Sequence, residues 1–150
     1  MLKLYLNTEE HTLEDMLLNA SEHNSLHFIC NDDVDDIDET KIELGQNYGY
    51  RVHYGFSFFP AMKERVYELL DDRDDHTICI DNINNWMLGI DSEANSLEYM
   101  YTENTIDELK EFIYRLLQGT SKHDISILCN EYMLQYLIDT LHMNHYVIID

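Results

Sequence analysis

Between Tyr67 and Asp81 the chain passes from the end of a helical stripe, Leu69-Leu70, through the acidic knot Asp71-Asp72-Arg73-Asp74-Asp75. It then enters an apolar run, Thr77 to Ile80, that stops at Asp81. Helix, charged turn and buried strand in immediate succession leave few architectures open. Carboxylates this dense cannot enter a core, so the turn lies at the surface. A strand with so little to offer water has to sit in a sheet with helices laid against it.

The rest of the chain extends that pattern. Leu2 to Leu6 alternates apolar and polar residues and predicts a first strand. Thr12-Leu13-Glu14-Asp15 reads as a capping box with Asp in place of Glu. It opens a helix to about His23 with Leu13, Met16, Leu17 and Ala20 on one face. Leu26 to Cys30 has the length of a buried strand. From Ile42 the even positions Ile42, Leu44, Tyr48, Tyr50, Val52, Tyr54, Phe56 and Phe58 are apolar. That period predicts a pair of half-buried strands turning near Gly45-Gln46-Asn47. A helix starts at Pro60 and buries Met62, Val66, Leu69 and Leu70. Trp86 to Ile90 and Leu97 to Tyr101 are expected to pair across a turn at Asp91 to Asn95. A full capping box, Thr105-Ile106-Asp107-Glu108, opens a helix with Ile106, Leu109, Ile113, Leu116 and Leu117 inward that stops at Gly119. Ile125 to Cys129 predicts another buried strand. Asn130 then caps a helix burying Leu134, Leu137, Ile138 and Leu141, and His145 to Ile149 is a last strand. The expectation is one domain over residues 1–150, an α/β or α+β sandwich. Its mixed sheet contains antiparallel hairpins and carries about four helices.

Charge narrows the function classes. The 150 residues are 45% apolar, enough for a core, and eleven Tyr, five Phe and one Trp argue against an acidic disordered chain. Thirty acidic against nine basic residues give a formal charge of −21. Direct binding to nucleic acid or to an anionic membrane needs a cationic face, so neither is expected. Cys30, Cys79 and Cys129 are odd in number, widely spaced and set in apolar runs, which predicts buried reduced thiols and a cytoplasmic protein. The stretch Met1 to Asn7 is too short for a signal peptide, and no apolar run approaches membrane-spanning length.

Motifs for chemistry are sparse. Aligned as a calcium loop from Asp32, the acidic run has Val34 at the third position and Ile37 where Gly is needed; only Asp36 and Glu43 fall in register. No Walker loop, nucleophile elbow, HExxH or G-x-G-x-x-G occurs. Asn31, Asp32, Asp81, Asn130 and Asp150 each follow a predicted strand, and would gather at one edge if those strands were parallel neighbours. The eight His are scattered and read as surface or helix-terminal residues. No cofactor and no metal are expected.

Clustered carboxylates are what remains. Asp32, Asp33, Asp35, Asp36, Asp38, Glu39 and Glu43 form one group, and Glu68, Asp71, Asp72, Asp74 and Asp75 a second. Carboxylates held on a rigid frame can stand in for phosphates and be met by a basic channel with release of counterions. The expectation is a non-enzymatic acidic inhibitor that occupies the nucleic-acid site of a nuclease or similar protein, as in phage counter-defence against restriction or CRISPR enzymes. An immunity protein or antitoxin neutralising a cationic toxin would use the same physics. The alternative of another class is a magnesium-dependent phosphoryl-transfer or hydrolytic enzyme built on Asp32, Asp81 and their neighbours.

Overall fold

A computed structural model describes residues 2–6, 12–19, 25–30, 37–56, 59–81, 103–129, 134–135 and 146–149. Among the described residues the elements follow in the order β1 (Leu2–Leu6), α1 (Thr12–Leu18), β2 (Leu26–Ile29), α2 (Glu39–Asn47), β3 (Arg51–His53), α3 (Phe59–Leu70), β4 (Thr77–Ile80), α4 (Glu103–Gly119), β5 (Asp124–Cys129) and β6 (Tyr146–Ile149). The strands form one sheet in the order β3-β2-β4-β5-β1-β6. All five pairings are parallel. The class is therefore α/β, and among the described residues the sheet is wholly parallel, not the expected mixed sheet with antiparallel hairpins. The pairing expected between Trp86 to Ile90 and Leu97 to Tyr101 lies outside the described residues.

Parallel strands need covering on both faces, and the side chains divide accordingly. On one face Leu2, Leu4, Ile29, Ile78, Ile80, Ile125 and Ile127 pack against Met62, Val66 and Leu69 of α3 and Leu109, Phe112, Ile113 and Leu116 of α4. On the other, Tyr5, Phe28, Cys79 and Leu128 pack against Met16 and Leu17 of α1, with Leu44 and Tyr48 of α2 closing over them. Neighbours along each strand thus serve opposite layers, as the pleat dictates. The result is a three-layer sandwich with two helices on each side. Among the described residues no helix is long and apolar enough to cross a membrane.

The segment from Ile42 to Phe58 departs most from expectation. Its first part is helical, and its boundaries are built by identifiable residues. The Asp38 side chain accepts from the Thr40 amide at 3.0 Å and the Lys41 amide at 3.4 Å, an N-cap. At the far end Gly49 has φ +85, its amide donates to the Gln46 carbonyl at 3.0 Å, and the Tyr50 amide donates to the Gly45 carbonyl at 2.9 Å. This is a Schellman termination, which needs a residue free of a Cβ penalty at that point. Leu44, Gly45 and Tyr48 then meet the sheet at helical spacing, and Tyr50 and Val52 pack in the same layer from the strand that follows. Leu44 and Tyr48 of the helix share their parity with Tyr50 and Val52 beyond it, so a helix followed by a strand imitates one long alternating run.

Two glycines on this segment separate packing from backbone. A Cβ at Gly45 would meet Val52 Cγ2 at 2.8 Å and Phe28 Cδ2 at 2.9 Å. Gly45→Ala is expected to lose about 1–3 kcal/mol through overpacking, despite the better helix propensity of Ala. A Cβ at Gly49 would meet nothing within 4 Å. Gly49→Ala is therefore expected to cost about 1–2 kcal/mol from the left-handed backbone alone. Urea unfolding at unchanged m-value measures both, and a hairpin turn at Gly45 would reverse the ranking.

Candidate functional site

Because every strand points the same way, whatever follows a strand lies at the carboxyl edge of the sheet and whatever precedes one lies at the amino edge. α2 follows β2, so Asp38 and Glu39 at its start belong to the carboxyl edge. The turn from Asp71 to Asp75 precedes β4 and belongs to the amino edge. α2 and α3 also cover opposite faces of the sheet. The acidic turn and the described start of the first group, Asp38 and Glu39, are thus held at different edges.

Eight of the twelve candidate acids are described: Asp38, Glu39, Glu43, Glu68, Asp71, Asp72, Asp74 and Asp75, and all eight are exposed. Asp32, Asp33, Asp35 and Asp36 lie outside the described residues. The amino-edge group is the more tightly tied. Arg115 donates to Asp71 at 2.8 Å while its guanidinium lies 4.5 Å from the Tyr67 ring centre. Lys122 donates to the Asp72 carbonyl. The His76 ring at 3.0 Å and the Asp74 amide at 3.4 Å hold the Asp72 carboxyl below the usual carboxylate range. Arg65 is 3.6 Å from Glu68, an exposed pair worth little. These contacts order the turn and leave its carboxylates facing water.

At the carboxyl edge one acid behaves differently. Asp81 is only 2% exposed, directly after β4, and its amide donates to the Ile29 carbonyl of β2 at 2.9 Å. Its carboxylate meets the Lys41 ammonium at 2.8 Å, reaching over from the first turn of α2. The charge-bearing ends of β2 and β4 are therefore neighbours, in the crevice where ligands of open parallel sheets bind. Lys41 was not among the residues singled out in the sequence. Its signal was there to find, since it is the only Lys or Arg between Lys3 and Arg51. Among the described residues no group of three or more His, Cys, Asp or Glu is arranged to hold a metal ion.

The thiols offer no nucleophile. Cys30, Cys79 and Cys129 are free and buried, and burial pushes the Cys79 and Cys129 thiols up to about 12. A thiol held protonated in this way is inert. Tyr50 and Tyr48 have structural tasks: Tyr50 donates to the Leu17 carbonyl at 2.7 Å, and Tyr48 donates to the Glu14 carboxylate at 2.5 Å, tying β3 and α2 to α1.

Comparison of the chain with protein-family models, with curated proteins and with solved structures returns no match.

Removing Lys41 leaves Asp81 buried beside a lost partner. Lys41→Met is expected to destabilise the protein by about 3 kcal/mol at neutral pH, the low end for a broken buried pair because Lys41 is partly exposed. Adding Asp81→Leu to that variant should restore much of the loss. A double variant no more stable than Lys41→Met in thermal unfolding would contradict this account of the pair.

Proposed function

We propose that this protein acts by binding, with fixed negative charge as its tool. The partner class is a basic protein whose cationic face normally receives nucleic acid, and this chain inhibits it by occupying that face. The observation that carries the reading is that every described candidate acid is exposed on an ordered helix or turn, within a chain of formal charge −21. Placement of cations adds to it. No Lys or Arg occurs between Arg73 and Lys110 or after Lys122, so long stretches of sequence carry acids with no basic residue among them. Such a surface repels itself and costs the compact state stability, which favours a use for the charge beyond solubility. A cationic toxin is the other partner that meets the same chemistry.

A second reading is favoured by one feature, the adjacency of the β2 and β4 carboxyl ends with Asp81 and Lys41 between them. A phosphoryl-transfer or hydrolytic enzyme would place its substrate and magnesium in that crevice. Magnesium-dependent thermal stabilisation, abolished together with activity in Asp81→Asn, would support it over the binding reading.

The test of the binding reading is a pull-down from cell lysate at low and high salt, with nucleic-acid competition on the retained protein. Two charge-neutralised variants then divide the edges. One carries Asp71→Asn, Asp74→Asn and Asp75→Asn, and keeps Asp72 because it holds His76. The other carries Glu39→Gln and Glu43→Gln. At least one is expected to bind the retained protein tenfold or more weakly, about 1.4 kcal/mol, with a flatter salt dependence. Unchanged affinity in both would overturn the proposal.

A further inference from the structure

Four histidines from distant parts of the sequence stand side by side along α3. The rings of His53 and His27 are stacked with centres 5.2 Å apart, His27 meets His76 edge-on at 4.7 Å, and His76 stacks on His123 at 5.5 Å. None is more than 7% exposed. The register of the sheet builds the row. Thr77 is opposite Asp124, so His76 and His123, one residue earlier, face each other; His27 is opposite Ile78, and His53 is opposite Ile29. From His76 to His27 and from His27 to His53 the row thus steps up the sheet by two residues as it crosses towards β3, along the path of α3.

The hydrogen bonds fix most of the protons. Arg65 of α3 can only donate, so His53 Nδ1, 3.1 Å from its Nη1, accepts. His53 then carries its proton on Nε2 and donates it to His27 Nδ1 at 3.0 Å. The backbone amide of His76 donates to His123 Nδ1 at 3.0 Å, so His123 carries its proton on Nε2, 3.0 Å from the Leu70 carbonyl. In three of the four rings the single lone pair is already occupied by a donor. A further proton on any of them would set two donors head to head in a buried site. His76 is the exception: its Nε2 faces Asp72 at 3.0 Å, and its Nδ1 is buried with no partner among the described residues.

We infer that this row is an acid-released latch. Neutral imidazoles tie the far half of α3, the acidic turn and the start of β5 to the sheet, and proton uptake unties them. The charged groups around the row are Arg51 from β3, Arg65 from α3, Asp72 from the turn and Lys122 on the Asp72 carbonyl. Two cations and the neighbouring rings oppose protonation of His27 and His53, and Asp72 alone favours it at the His76 end. Burial first, then those neighbours, bring both His27 and His53 down to about 4. An unfolded His titrates near ~6.5, so opening takes up protons between about pH 6.5 and pH 4. Stability is therefore full above that window and falls as pH drops through it. The inference rests on this geometry and is independent of what the acidic turn binds.

The full chain is tested by urea unfolding at pH 7.5, 6.0 and 5.0, alongside imidazole nitrogen NMR of the folded state. The folding equilibrium constant is expected to fall at least about a hundredfold from pH 7.5 to 5.0, with proton uptake on unfolding. His27 and His53 should remain neutral Nε2–H tautomers throughout the folded range. His27→Phe combined with His53→Leu should weaken the pH dependence; should that variant not fold, the wild-type measurements decide alone. A pH-independent midpoint, or titration of His27 or His53 near 6.5 in the folded protein, would overturn the latch.

Discussion

Parallel ladders hold only where both of their faces are kept from water, and nearly everything else in this molecule follows from meeting that condition. A parallel connection needs a crossover, which here is a helix wherever the crossover is described. Those helices supply the two cover layers, with α3 and α4 on one side and α1 and α2 on the other. The strands are accordingly largely apolar on both faces, and among the described acids only Asp81, paired with Lys41, is buried. Charge is forced to the two edges of the sheet and the outer sides of the helices. The separation of the acidic groups into a carboxyl-edge set and an amino-edge set is thus a consequence of topology.

The same condition explains what could be read in the sequence. Leu26 to Cys30, Thr77 to Ile80 and Ile125 to Cys129 are near-continuous apolar runs, and all three are strands. Runs of that kind belong to parallel sheets, while alternating ones belong to sheets half open to water. Ile42 to Phe58 alternated and so suggested antiparallel strands. The decisive information lay in its boundaries, an Asp38 cap and a Gly49 stop eleven residues apart, which set the length of a short helix. Period alone could not separate a helix and strand sharing one parity from a single long strand. The acidic groups were legible as exposed residues, but their distribution between two edges required strand direction, which no local pattern encodes.

The histidine row was invisible for a related reason. His27, His76 and His123 each stand two residues before an isoleucine, Ile29, Ile78 and Ile125, that enters the same core layer. That repeated spacing marks three side chains on one face of three strands. It becomes a cluster only once β2, β4 and β5 are known to be neighbours in parallel register. Scattered in sequence, the residues read as solitary surface groups.

The nine cations complete the physical picture. Lys3 pairs with Asp124 at 2.9 Å, Lys41 with Asp81, and Arg115 with Asp71, while Arg65 is bonded to His53 and Lys122 to the Asp72 carbonyl. Each of these five joins elements that are separate in sequence. Exposed pairs contribute little to stability one at a time, yet a guanidinium or ammonium bonded to a half-buried partner fixes where that partner points. These five cations are spent on internal geometry, where Arg115 and Lys122 hold the turn and Arg65 anchors the histidine row. An acidic surface held this way can keep its shape without being neutralised, which is what presenting carboxylates to a cationic partner requires.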